Sequence, residues 1–283
     1  MGRWRPLVTK ESIRRRIGEG YGQGEGGDYK PWIVVQSFSS LGRVHRLKGW
    51  MSGRIHHLLS DNERKVFLSY QWSRRVIDIR EQYPLFPIEE TWEIAKSLGV
   101  RHAADRRTRC PIPMTTDLLL TIHETNRYSF HPRSVKYLKD LSDQRTLEKL
   151  EIERRYWGTS PRNLRLKVVS GESISDAFVR NMLWFSPCYR LTDLFPLTEL
   201  DVNRITYALT SIVTSQTLPI KTVAQECDRG LGLEFGTSLL VVRHLLAIRY
   251  WEVDAKVRIR TSEPLVLMNR PVGNVYERTR SVA

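Results

Sequence analysis

"MTTDLLLTIHETNRYSFHPRSVKYL", residues 114–138, holds two segments that read as consecutive β-strands, 114–124 and 128–138. The first is an apolar run with Asp117 at its head. An acidic residue in a half-buried strand is costly unless it is paired or bound to a metal. In the second, the two-residue period of a strand puts Ser134 and Lys136 on one face.

Working upstream, "RVIDIREQYPLFP" (75–87) reads as a strand closed by prolines, and "IEETWEIAKSLGV" (88–100) as a helix that ends at Gly99. "LLSDNERKVF" (58–67) opens a helix. Ser60 and Glu63 there have the S-x-x-E spacing of a capping box, in which the serine accepts from the Glu63 N–H and the glutamate reaches back to the serine N–H. "PWIVVQSF" (31–38) and "RVHRLKGW" (43–50) read as strands, and "KESIRRRI" (10–17) as a short basic helix. Gly22, Gly24 and Gly27 match the letters of GxGxxG, but a helix precedes them and no βαβ unit follows, so the segment reads as a loop.

Downstream, "SDQRTLEKLEIERRYWG" (142–158) is a charged amphipathic helix and "NLRLKVVSG" (163–171) a strand. Helical patterns dominate from there on, which sets a domain boundary near 171–173. "IKTVAQECDRGLGLEFGTSLLVVRHLLAIRYWEV" has the order of a winged helix-turn-helix, with "WEVDAKVRIR" as its β-like part. Leu239, Leu240, Val242, Leu245, Leu246 and Ile248 give its second helix a broad apolar face, with Arg243 and His244 toward the edge. That face suits contact with protein better than reading of bases. The tail, "MNRPVGNVYERTRSVA", reads as a segment disordered until it meets a partner.

The chain has 283 residues, 41% of them hydrophobic, which suffices for a sizeable core. Its net charge of +14 favours a polyanionic partner. No apolar run is long enough to span a bilayer, and "MGRWRPLVTK" has no apolar core of a secretory signal. Cys110, Cys188 and Cys227 lack CxxC spacing, which argues against a disulfide framework and structural zinc. Together these point to a reduced, cytosolic protein that binds nucleic acid.

Glu63 on a helix, Asp117 on a strand and Lys136 on the next strand follow in an order that suits metal-dependent phosphodiester hydrolysis. Carboxylates hold one or two Mg²⁺ ions (Mn²⁺ can substitute), and a lysine orients the attacking water or offsets developing charge. Each residue also has a plain structural role open to it: a cap for Glu63, a strand-start aspartate, a solvated lysine. His56 and His57 are adjacent and face opposite ways in a strand, so they cannot share one ion. Asp78, Arg80 and Glu81 could hydrogen-bond the metal ligands or form structural ion pairs. Arg14, Arg15, Arg16, Arg106, Arg107, Arg154 and Arg155 are candidate phosphate contacts.

The stretches "GQGEGGDYKPW", "GRIHHLLSDNE", "VIDIREQYPL" and "RTLEKLEIERRYW" make the chain resemble the TnsA family, the endonuclease subunits of heteromeric cut-and-paste transposases. The resemblance covers most of residues 13–158. It implies a restriction-endonuclease-like mixed sheet flanked by helices over 1–171, and a winged-helix-like, partner-binding domain over 172–283. It implies Glu63, Asp117 and Lys136 as catalytic residues, with Mg²⁺ on Glu63 and Asp117. Ser134 stands where the family has glutamine, two residues before the lysine; a serine is a poorer ligand and acts weakly or through a water. The implied partners are double-stranded DNA at transposon ends, a TnsB-like transposase subunit, and a TnsC-like AAA+ ATPase bound by the C-terminal domain. The implied reaction is cleavage at the 5′ ends of the transposon. The alternative is a non-catalytic subunit that binds DNA and bridges transposase and ATPase.

Overall fold

The computed structural model describes residues 7–37, 43–125, 127–269, 271 and 273–276. The chain divides into two compact units, Met1–Ile174 and Ser175–Ala283. The elements of the first are α1 (Lys10–Gly18), β1 (His45–Lys48), β2 (Ile55–Leu58), α2 (Asp61–Gln71), β3 (Val76–Pro84), α3 (Ile88–Ser97), β4 (Thr115–Glu124), β5 (Arg127–Val135), α4 (Gln144–Gly158) and β6 (Lys167–Val169). The second holds α5 (Asp176–Phe185), α6 (Glu199–Ser215), α7 (Ile220–Leu231) and α8 (Thr237–Ala247).

The main sheet runs β3-β4-β5-β6. The first three strands are antiparallel neighbours, and β6 joins β5 in parallel, so the sheet is mixed. A parallel pairing needs a long crossover, which α4 supplies. β4 is central, and Leu118, Leu119 and Leu120 are all buried, as expected for a strand covered on both faces. Pro132 is tolerated in β5 because β6 pairs only with residues 133–135; at 132 the strand has a neighbour on one side only. On one face of the sheet Leu85, Leu119, Tyr156 and Trp157 form a cluster, which docks α4 against it.

β1 and β2 form a separate antiparallel hairpin. Glu81 of β3, fully buried, clips it to the main sheet. Glu81 accepts from both terminal nitrogens of Arg54 (2.8 and 2.6 Å), from His56 Nδ1 (2.8 Å) and from the His57 N–H (3.0 Å). Burial alone would raise the pKa of Glu81, but His56 and Arg54 outweigh it and hold the carboxyl at about 2.

Several elements differ from the expectation. The 31–38 segment is no strand over its described residues: Val35–Ser37 is a 3₁₀ turn, and the Val35 N–H donates to His57 Nδ1 rather than to a strand. The strand expected over 163–171 is only three residues long. Residues 251–260 form no strand either. There the buried Asn181 side chain donates to the Ala255 and Val257 carbonyls and accepts from the Ile259 N–H, satisfying backbone groups that would otherwise seek a ladder.

In the second unit α7 and α8 make the expected helix-turn-helix. Asp228 of α7 accepts from the Gly236 and Ser238 N–H groups, capping the start of α8 with a negative charge. Val241, Val242, Leu245 and Leu246 are buried. His244 lies in the interior rather than at the edge, its Nδ1 paired with the Cys188 carbonyl at 2.7 Å. The described part of the tail is ordered: Val275 is buried and its N–H donates to Asn203, while the Gly273 carbonyl accepts from the Tyr250 hydroxyl. Residues 277–283 lie outside the described residues. Among the described residues, no helix is long and apolar enough to cross a membrane.

Glu81→Gln removes the one charge that balances Arg54 in the interior. It is expected to destabilise the first unit by about 3–5 kcal/mol, measured by urea denaturation. Because the folded pKa lies below the ordinary 4.5, this contribution is present above 4.5 and is lost as pH falls toward about 2. The variant's stability is therefore expected to depend less on pH across that window.

Candidate active site

Antiparallel pairing of β4 with β5 sets Leu118 opposite Arg133, which brings Asp117 beside Ser134. Asp117 Oδ2 accepts from the Val135 N–H (2.7 Å), the Lys136 ammonium (2.7 Å) and the Ser134 hydroxyl (3.3 Å). Lys136 sits just past the end of β5, and its N–H donates to the Val169 carbonyl of β6 at 3.0 Å. Its ammonium also donates to the Val135 carbonyl at 3.1 Å. Burial would lower the lysine pKa, but Asp117, Glu153 and Glu63 outweigh it and raise the pKa. The lysine is therefore held charged.

Glu63 lies in the first turn of α2. Its N–H donates to Ser60 Oγ at 3.0 Å, so Ser60 does cap the helix. The return half of the capping box differs from expectation: the carboxylate accepts from the Leu59 N–H (3.0 Å) and the Ser60 hydroxyl (3.1 Å). It thus reaches one residue further back than the serine N–H. Gln82 Nε2 adds a third hydrogen bond at 3.3 Å. Burial and the charge of Asp117 push the Glu63 pKa up to about 7.

Two further residues of this cluster are not among the candidates that the sequence marks. Glu153 of α4 is buried, accepts from Thr116 Oγ1 at 2.7 Å, and is pushed up to about 7 by burial and then by Asp117. A signal for it exists: Leu150, Glu153, Tyr156 and Trp157 follow helical spacing, so an acid falls on the buried stripe. Gln82 bridges Glu63 and the Thr115 hydroxyl (3.1 Å) and takes a left-handed backbone at φ 48°. Nothing in "DIREQYPL" marks it.

Other candidates fall elsewhere. Glu81 serves the hairpin clip, Asp78 accepts from the Gly26 N–H, and Arg80 lies between Asp78, Glu25 and Thr121. His56 is buried against Phe67. Arg16 packs over Tyr21 and Trp32 and donates to the Trp32 carbonyl; Arg15 is 3.8 Å from Glu19; Arg14 is exposed. Arg106 and Arg107 are exposed on a loop, while Arg154 and Arg155 both pair with Glu151.

Among the described residues, no group of three or more histidine, cysteine, aspartate or glutamate side chains is gathered closely enough to hold an ion alone. The donor set still fits a hard divalent cation that keeps several waters. After burial, the charge of Asp117 raises the pKa of both Glu63 and Glu153, so a cation among these carboxylates would relieve a repulsion already present.

A mixed sheet flanked by helices, with an aspartate on β4, a lysine just past the end of β5 and a glutamate on α2, makes the first unit a mixed α/β domain of the kind expected for an endonuclease-like fold. Two family models match the chain: TnsA-like endonuclease N terminal over residues 73–170, and TnsA endonuclease C terminal over residues 173–255. A relative from Escherichia coli, transposon Tn7 transposition protein TnsA, is 43% identical over 176 residues, 62% of this chain. The alignment likewise spans 62% of that curated relative's length. The chain belongs to the TnsA family. Asp117, Ser134, Lys136 and Glu153 lie inside the 73–170 match, and Glu63 lies ahead of it.

Glu63 and Glu153 bind protons more tightly folded than unfolded, so their contribution lowers stability as pH rises from 4.5 through about 7. Asp117→Asn removes the shared repulsion. Both pKa values are expected to fall toward 4.5, followed by carboxyl NMR titration, and the drop in melting temperature across this window should shrink.

Proposed function

We propose that this chain is a metal-dependent DNA endonuclease subunit of a transposase, cutting at the 5′ ends of a transposon for cut-and-paste transposition. The observation that carries this reading is the gathering of half-buried Asp117 and Lys136 with buried Glu63 and Glu153 into one cluster, from β4, the end of β5, α2 and α4. The names of the matching families, with the word endonuclease, and of the relative, a transposition protein, support it.

Glu63 and Asp117 would hold Mg²⁺, or Mn²⁺ in its place. When bound, one or two such ions polarise the scissile phosphate and make a water nucleophilic near neutral pH. Ser134 is buried and its hydroxyl is directed at Asp117, so its part is to fix the aspartate or to contribute through a water. Lys136 uses two of its three ammonium protons on Asp117 and the Val135 carbonyl. The third is available to orient a water or to offset charge on a phosphate oxygen. Glu153 and Gln82 hold Thr116 and Glu63 and so fix the site's outline.

The second reading, a non-catalytic subunit bridging DNA, transposase and ATPase, is favoured by the engagement of Ser134 with Asp117 instead of an open ligand position. We infer a TnsB-like transposase as a partner of the chain, and for the second unit a TnsC-like AAA+ ATPase. Phe195, Leu200, Tyr207 and Phe235 expose large apolar surface there.

The test is strand-specific cleavage of transposon ends by the reconstituted complex. Glu63→Gln should melt within about 1 kcal/mol of wild type, because the amide oxygen can still accept from the Leu59 N–H and the Ser60 cap on the residue-63 N–H is untouched. Cleavage at the 5′ ends should fall by about 10²-fold or more, while 3′ cutting persists and products shift toward cointegrates. A normally melting Glu63→Gln protein that cuts 5′ ends at the wild-type rate would overturn the assignment.

A further inference from the structure

Beside this site lies a cavity of about 800 Å³, formed by α3, the 101–109 loop and α4. Its walls carry Lys96, Arg101, Arg106, Arg109, Arg145 and Lys149. Of these, only Arg145 has an ion pair among the described residues, to Glu148 at 2.6 Å. The single acid on the wall, Asp105, is consumed by the loop: its carboxylate accepts from the N–H groups of Val8, Arg107 and Thr108. Its backbone also bonds Cys110 and Arg109, at 2.9 Å each. The loop is thus a closed, internally hydrogen-bonded turn that displays cations instead of neutralising them.

One wall is aromatic. Trp92 of α3 is 41% exposed, and its ring lies 5.5 Å from that of the buried His102. Such a ring, backed by packed neighbours and open on its outer side, is a stacking surface for a base. The cavity also leads to the chemistry. Arg145, Lys149 and Glu153 recur every four residues of α4, so one stripe of the helix lines the cavity and then reaches the catalytic cluster. Lys149 feels the charge of Lys136.

We propose that this cavity binds a short single-stranded run of nucleotides, with phosphates on the lysines and arginines and an unpaired base against Trp92. In a duplex the bases are paired and stacked inside and offer no free face to Trp92, whereas one strand with a splayed base does. The inference rests on the endonuclease reading only in taking the strand to be the one led to Lys136.

The test uses the full-length protein, in chelator to prevent cutting, and a fluorescein-labelled oligothymidylate of roughly six nucleotides, followed by anisotropy against salt. Wild type and Glu63→Gln should bind equally. Trp92→Ala should weaken binding by about tenfold, with Trp92→Phe retaining most of it. The exposed pair Lys96→Ala with Arg101→Ala should weaken binding by at least tenfold. It should also flatten the log–log salt dependence by about 0.7 for each phosphate that is no longer neutralised. Blunt duplex of the same length should bind independently of Trp92. Oligothymidylate binding that survives both changes, or duplex binding that weakens as much on Trp92→Ala, would overturn the proposal. Those outcomes leave the endonuclease reading standing if the complex still cuts 5′ ends. Conversely, a Glu63→Gln protein that binds the oligothymidylate and still cuts would remove that reading and leave the cavity's role intact.

Discussion

One carboxylate oxygen, Asp117 Oδ2, organises the first unit. It takes hydrogen bonds from a hydroxyl, a backbone N–H and an ammonium, all within three consecutive residues at the end of β5. The same negative charge keeps Lys136 protonated and contributes to holding Glu63 and Glu153 closer to neutral. Three carboxyl groups around one ammonium cannot all be ionised cheaply in a buried site. That imbalance makes the cluster receptive to a cation, and it explains why polar neighbours such as Gln82, Thr115 and Thr116 line it. They hold the carboxylates apart when nothing else does.

The parts of the fold legible in the sequence are those with strong periodicity. β4 and β5 show in "DLLLTI" and its successor because a central strand needs apolar residues throughout, and the two-residue period then places Ser134 and Lys136 together. One helix shows through its cap, Ser60, and the structure caps others in the same way, with Thr9, Asp143, Ser175 and Thr198 each accepting from an N–H in the first turn. Short segments of mixed character mislead. "PWIVVQSF" and "WEVDAKVRIR" have the composition of strands, but strands need partners. In the folded protein side chains meet some of their backbone groups, His57 in one case and Asn181 in the other, and neither segment forms a strand over the described residues. No local pattern announces that.

The site divides along the same line. Asp117 and Lys136 stand out because charge on a buried strand demands a reason. Glu63 is ambiguous in the sequence because one carboxylate can serve both the helix start and the cluster, and its hydrogen bonds to Leu59 and Ser60 show it occupied with the first. Glu153 is masked by its company. It sits among Glu148, Glu151, Arg154 and Arg155, which pair on the surface, and only its alignment with Tyr156 and Trp157 distinguishes it. Gln82 depends on a left-handed backbone position in β3, which is a product of packing and has no local sequence signature.

The bond from the Lys136 N–H to the Val169 carbonyl has a consequence for the order of assembly. β6 is the last strand of the sheet and lies across a helical crossover from β5. On a ribosome, β3, β4 and most of β5 are synthesised and can pair as a meander while α4 is still unmade. Until Val169 leaves the exit tunnel, the backbone beside the lysine has no partner to fix it. Glu153 has by then been made but, without the closed crossover, lacks its place beneath β4. The nascent chain therefore carries a sheet before it carries a finished reactive centre, and a product truncated before β6 would lack one.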